Sequence, residues 1–232
     1  MTTFALVHGA WHGAWCWERL IPELEQHGHA ALAIDLPCED PEAGCAAYAE
    51  VVQAQTAGIG EDLVLVGHSL GGLTIPLIAS QRPVRTLVFL CALLPRPGLS
   101  MVDQLAQEPE IFAREFGPGL VRDELGRSYW QDEDAAIDLL YSDCPRQLAS
   151  WAVSRLRRQG RAPSAEPCPL AQWPAVESVS LFARDDAAVN PEWSRSAALE
   201  RLGAAAVELP GGHSPMLSRP AELAEALVSL SL

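Results

Sequence analysis

The chain has 232 residues, 49% hydrophobic and 20% charged, enough for one large domain or two small ones and too apolar for a disordered or fibrous chain. Its 16 basic residues face 30 acidic ones, and a net charge of -14 repels a phosphate backbone, which excludes nucleic acid as an expected partner. All 16 basic residues are arginines, so the chain has no lysine for a Schiff base or for a phosphate-gripping P-loop.

No run reaches the ~18 apolar residues of a membrane span, and Met1-Thr2-Thr3-Phe4 lacks the charged start of a signal peptide. A cytoplasmic protein with no membrane partner is expected. The cysteines Cys16, Cys38, Cys45, Cys91, Cys144 and Cys168 show no metal-binding spacing. Reduced thiols are therefore expected, with no bound metal and no disulfide between Cys38 and Cys45, the one close pair.

Short apolar runs without alternation predict strands over 4–7, 30–34, 63–66, 87–91, 179–182 and 205–209, each buried on both faces. Helical patterns lie between them over 18–27, 45–57, 70–81, 191–202 and 220–230, several closing on a glycine. The alternation predicts an α/β class with a mainly parallel sheet of about six strands flanked by helices. It breaks once, in a Pro-rich, charged stretch containing helical patterns over 101–116, 132–141 and 145–159. An insertion of that length is expected to be a helical cap over 96–174, set into a core of 1–95 and 175–232.

Gly67-His68-Ser69-Leu70-Gly71 fits G-x-S-x-G directly after a predicted strand and before a predicted helix. In that context the serine occupies a strained strand-to-helix turn that leaves its hydroxyl exposed above the sheet. A serine hydroxyl needs a base to remove its proton. His213, in Gly211-Gly212-His213-Ser214-Pro215 after the last predicted strand, is placed to reach it. His27 and His29 flank a helix-ending glycine, His68 is pinned beside the serine, and His8 and His12 shape the first strand's loop. The acid that holds the histidine comes from Asp185-Asp186 after the next-to-last strand. Asp186 is favoured because an apolar anchor follows three residues on, and Asp185 is left open. The order Ser69, Asp186, His213 is that of the α/β-hydrolases. His8-Gly9-Ala10 after the first strand supplies a second oxyanion donor, the Ala10 N–H, beside that of Leu70. Trp15 and Trp17 read as core, whereas Trp11 and Trp130 are candidates for the pocket wall.

With these motifs the sequence resembles the branch of the α/β-hydrolase superfamily that contains plant methylesterases, hydroxynitrile lyases and similar bacterial esterases. The resemblance implies an α/β-hydrolase fold with a helical cap over a largely apolar pocket, no cofactor, and a small-molecule ester as substrate. It makes Ser69 the nucleophile, His213 the base and acid, Asp186 the orienting carboxylate, and Ala10 and Leu70 the backbone oxyanion donors. Two departures stand out: the predicted sheet lacks the usual antiparallel leading pair, and the short loop after Asp35-Leu36-Pro37 would open one side of the pocket. The lyases that the chain resembles use a lysine near the catalytic histidine to stabilise departing cyanide, and this chain has none. Ester hydrolysis through an acyl-enzyme is therefore expected ahead of carbon–carbon lysis or of a binding protein with a relic triad. Oligomeric state is not legible, and a homodimer stays open.

Overall fold

The computed structural model describes residues 1–117 and 119–230. One six-stranded sheet forms its centre, from β1 (Thr3–Val7), β2 (Ala30–Ile34), β3 (Leu63–His68), β4 (Thr86–Leu90), β7 (Glu177–Ala183) and β8 (Val207–Leu209), in the order β2-β1-β3-β4-β7-β8. Every pairing in it is parallel. The central strands β3 and β4 are buried throughout, and β8 at the edge is not. Side chains alternate between two cores because successive residues of a strand point to opposite faces. Leu63, Leu65, Leu87 and Phe89 face one core, closed by α2 (Cys45–Thr56), α3 (Ile75–Ala79) and α8 (Pro191–Ala197). Val64, Val66, Val88 and Leu90 face the other, closed by α1 (Ile21–Gln26) and α10 (Pro220–Ser229). That two-sided burial is why the strands read as unbroken apolar runs.

The helices are shorter than the periodicity predicts, for local reasons. The 70–81 pattern divides into a tight 3-10 turn at Ser69–Leu73 and α3, which carries Pro76 in its first turn. Proline is accepted there because its missing N–H would have had no partner. The 18–27 pattern shortens to α1, with Pro22 in its first turn, and a separate 3-10 turn at Ala14–Trp17 precedes it. The 191–202 pattern is helical throughout but widens into a π turn at Ala198–Leu202 and stops at Gly203, whose φ of 64° is left-handed.

None of the described residues between β4 and β7 joins the large sheet. It forms α4 (Met101–Gln107), α5 (Glu133–Leu140), α6 (Arg146–Val153) and the short α7 (Ala162–Ala165). The expectation of a purely helical insertion needs correcting. A hairpin of β5 (Leu120–Arg122) and β6 (Ser128–Trp130) is built into it. Its turn is set by Asp123, which accepts from the backbone N–H groups of Leu125 and Arg127, and by Gly126 at φ 74°. Three-residue strands are too short to show a period. The insertion is tied to the core through the half-buried Glu108, which accepts from Trp193 Nε1 at 2.8 Å and from Arg201 Nη2 at 2.7 Å. The loop after Pro37 is not left open, because the Gly160 N–H donates to the Cys38 carbonyl at 2.7 Å across it. All six cysteines are free, and among the described residues no helix is long and apolar enough to cross a membrane.

Three buried histidines knit the loops at the carboxyl ends of the strands. His8 donates from Nδ1 to the Gly9 carbonyl (2.9 Å) and accepts at Nε2 from the Leu36 N–H (3.0 Å). His12 donates from Nδ1 to the Ala10 carbonyl (2.7 Å) and accepts at Nε2 from the Tyr141 hydroxyl (2.8 Å). His68 donates from Nε2 to the His213 carbonyl at 2.9 Å. Accepting at one nitrogen of His8 and of His12 requires a neutral ring, and burial pushes His8 down to about 4 and His12 down to about 3. Burial, followed by the nearby His213 and His12, also holds His68 well below the usual histidine range. Unfolded, these rings titrate near 6.5. The unfolded chain therefore takes up protons first as pH falls. Their contribution to stability is complete above about pH 6.5 and declines toward pH 4, by about 1.4 kcal/mol per pH unit for each histidine. We expect the thermal midpoint to drop between pH 7 and pH 5, and to drop less in His12→Gln. A midpoint flat over that range in calorimetry would show that the three rings are not held neutral.

Candidate active site

Ser69 follows β3 immediately and has a φ of 50°, a left-handed conformation that costs a non-glycine residue about 1–3 kcal/mol. The surroundings permit it only because they lack side chains. A Cβ on Gly71 would lie 2.8 Å from the Val7 and His8 carbonyl oxygens, and one on Gly72 would lie 2.3 Å from the Leu93 carbonyl. From the other side, a Cβ on Gly9 would meet the Ser69 Cβ at 2.7 Å. Gly9 and Gly71 thus answer to one close approach between the β1 loop and the turn after β3, and Gly72 answers to the loop after β4. Trp11 (φ 62°) and Cys91 (φ 46°) are the other non-glycine residues in left-handed conformations among those described, and both follow strands at this same end of the sheet. Burial, and then the negative charge of Asp186, pushes the Cys91 thiol up, so it stays protonated.

His213 sits on the loop after β8, buried, with its Nδ1 2.9 Å and 3.0 Å from the two carboxylate oxygens of Asp186. Asp186 is also buried, and its Oδ1 accepts from the backbone N–H groups of Ala188 (2.8 Å) and Val189 (3.0 Å), which hold the carboxylate in position. Asp185 is exposed and reaches this loop through its backbone, whose N–H donates to the Gly211 carbonyl at 2.9 Å. With the His68 contact to the His213 carbonyl, both flanks of the base loop are hydrogen-bonded to neighbouring turns.

Ser69, His213, Ala10, Leu70 and Trp11 open into one cavity of about 290 Å³. The Ala10 N–H has no partner among the described residues, and Leu70 lies in the first turn of a helix, where N–H groups lack an intrahelical acceptor. Most of the remaining wall is apolar, and the insertion contributes Met101, Phe112 and Phe116. Trp130 does not line the cavity. It packs edge-on against the Trp11 indole, with ring centroids 5.5 Å apart, and so buttresses the wall. Trp17 is core, as expected, whereas the partly buried Trp15 stacks on His12.

Two contributions of the insertion carried no motif in the sequence. Arg157 clamps the loops after β1 and β2: its N–H donates to the Trp11 carbonyl (2.7 Å) and its guanidinium to the carbonyls of His12 (3.0 Å) and Leu36 (2.9 Å). Arg122 and Arg161 stand on the cavity wall. Among the described residues no group of three or more His, Cys, Asp or Glu side chains is placed to hold a metal ion.

The alpha/beta hydrolase family matches residues 4–226. The chain is 32% identical to the probable esterase PIR7A of Oryza sativa subsp. indica, over 98% of this chain and 96% of that protein. It is 28% identical to a carbendazim hydrolyzing esterase of Nocardioides sp. (strain SG-4G), over 99% of this chain and 100% of that one. Among solved structures, polyneuridine aldehyde esterase superposes with a TM-score of 0.82 at 22% identity, covering 100% of both chains. A pyrethroid hydrolase from Sphingobium faniae JZ-2 superposes with a TM-score of 0.80 at 24% identity, over 99% of this chain and 97% of that chain. At those identities the two structures speak for the fold, while the match along nearly the whole sequence shows that the chain belongs to the alpha/beta hydrolase family.

Proposed function

We propose that the protein is a carboxylic-ester hydrolase that forms an acyl-enzyme on Ser69. The observation that carries this reading is the buried Asp186–His213 pair, which shares an apolar cavity with a serine held in a left-handed turn. The names of the esterase relatives support the same chemistry.

In this reading the Ser69 hydroxyl attacks the ester carbonyl carbon while its proton passes to His213 Nε2. Asp186 keeps the other ring proton on Nδ1 and stabilises the imidazolium that forms. The carbonyl oxygen takes up the negative charge and accepts from the Ala10 and Leu70 N–H groups. Collapse breaks the bond to the alcohol oxygen, which leaves with the proton from His213. Water then attacks the acyl-enzyme, giving its proton to His213, and the acid departs as Ser69 regains its proton. Residues 96–174 act as the cap, supplying apolar wall from Met101, Phe112 and Phe116 and holding the oxyanion loop through Arg157. A cavity of about 290 Å³ suits one small ester.

Ser69→Ala is expected to lower kcat/KM for 4-nitrophenyl acetate by at least about a thousandfold, with an unchanged circular dichroism spectrum. A folded variant with near-wild-type turnover would remove Ser69 from the role. Asp186→Asn should cost roughly 10³- to 10⁴-fold in kcat, because an amide can hold the imidazole with its proton on the wrong nitrogen. Asp185→Asn should stay within about twofold, since an exposed side chain away from such features has little effect. The reverse ranking of the two variants would assign the acid to Asp185.

A further inference from the structure

From the cationic rim of the cavity we infer that the preferred substrate carries an anionic group, a carboxylate or its equivalent, at the end away from the scissile ester, where Arg122 and Arg161 receive it. The inference rests on the ester-hydrolase reading and adds a substrate class to it.

The first observation concerns partners. Acidic residues outnumber arginines 30 to 16 in this chain, so an arginine has many carboxylates to meet. Among the described residues, Arg161 is the one arginine whose side chain makes neither a hydrogen bond nor an ion pair, and Arg122 makes a single bond, from Nη1 to the Gly126 carbonyl at 2.9 Å. Neither has a carboxylate within ion-pair distance, yet both line the cavity that holds Ser69 and His213. Each guanidinium keeps donors free, in the planar fork that grips a carboxylate through two parallel hydrogen bonds.

The second observation is how they are held. Arg122 is paired with Ser128 across the hairpin. Ser128 in turn bridges Gln159, with N–H to O distances of 2.9 Å and 2.8 Å, two residues before Arg161. The Ser128 hydroxyl accepts from Trp11 Nε1 at 3.0 Å, and Trp11 adjoins the oxyanion donor Ala10. A continuous hydrogen-bonded path therefore sets the two arginine positions relative to the oxyanion loop, so the cations stand at a defined reach from the reacting carbonyl. The field of the whole chain repels an anionic ester, and a local pair of unneutralised cations at the mouth reverses that sign where the substrate enters.

The test compares carboxylates with their neutral amide isosteres. One pair carries the group on the acyl side, mono-4-nitrophenyl adipate against the 4-nitrophenyl ester of adipamic acid. The other carries it on the alcohol side, 4-acetoxybenzoate against 4-acetoxybenzamide. In at least one pair the wild-type kcat/KM should favour the carboxylate by about tenfold, mostly through KM. Arg122→Gln and Arg161→Gln should each reduce that ratio about three- to fivefold, as expected for solvent-accessible ion pairs, and the double variant should bring it near one. Arg161→Lys should keep part of the preference. Unchanged circular dichroism spectra check that the variants are folded, and Ser69-dependent turnover of the amides by the wild type checks that the hydrolase reading stands. No carboxylate preference in either pair, or one that survives the double variant, overturns the inference while leaving the hydrolase reading intact. Failure to hydrolyse any of the four esters in a Ser69-dependent way overturns both.

Discussion

The close approach of two backbone turns, the one after β1 and the one after β3, is the constraint on which the site depends. Parallel pairing of these adjacent strands, Val7 opposite Gly67, brings both loops to the same edge of the sheet. The packing then leaves no room for a Cβ at Gly9 or Gly71. The chain closes tightly there, Ser69 takes a left-handed conformation, and Ala10 and Leu70 line the cavity that also holds His213. The chain runs from β1 out to β2 and returns past it to β3, so this edge is also the point where strand order reverses. Open α/β sheets form their crevices at such points.

Around that approach the polar groups are arranged by tautomer. His8, His12 and His68 each donate to a backbone carbonyl, and His213 directs Nδ1 to a carboxylate. A neutral ring donates at one nitrogen and accepts at the other, so it joins two turns in a way that a protonated ring cannot. Burial keeps the three structural rings neutral, which makes them a fixed frame around His213, the base of the proposed cycle. The insertion adds to that frame with a permanent charge. Arg157 satisfies the His12 carbonyl of the β1 loop and the Leu36 carbonyl after β2, and meets Asp35 at 3.1 Å.

Legibility in the sequence followed the range of the interaction responsible. The six strands were visible because burial on both faces makes the composition itself the signal, and the order of Ser69, Asp186 and His213 was visible because each lies within a few residues of a strand's carboxyl end. The β5–β6 hairpin was not. Its strands have three residues each, and its position depends on Ser128 meeting Gln159, 31 residues away. Trp130 carried the composition of a pocket residue, yet it lies behind Trp11, a choice made by side-chain packing. Helix ends were displaced where Pro22, Pro76 and Pro109 interrupt a periodic pattern that otherwise continues.

By itself, then, the sequence determined the α/β alternation, the strained serine turn and the chain order of serine, acid and histidine. These rest on local steric rules and on the two-residue period of side chains along a strand. The sequence favoured Asp186 over Asp185 from the apolar anchor that follows it and left Asp185 open, because the position of His213 decides which of two adjacent side chains is inward. The tertiary structure turns Asp186 into the interior against His213 and leaves Asp185 exposed. It also decided the cavity wall, where Arg122 and Arg161 come from parts of the insertion that share no motif. They come together because hydrogen bonds between the hairpin and the 159–161 segment give two distant stretches one register.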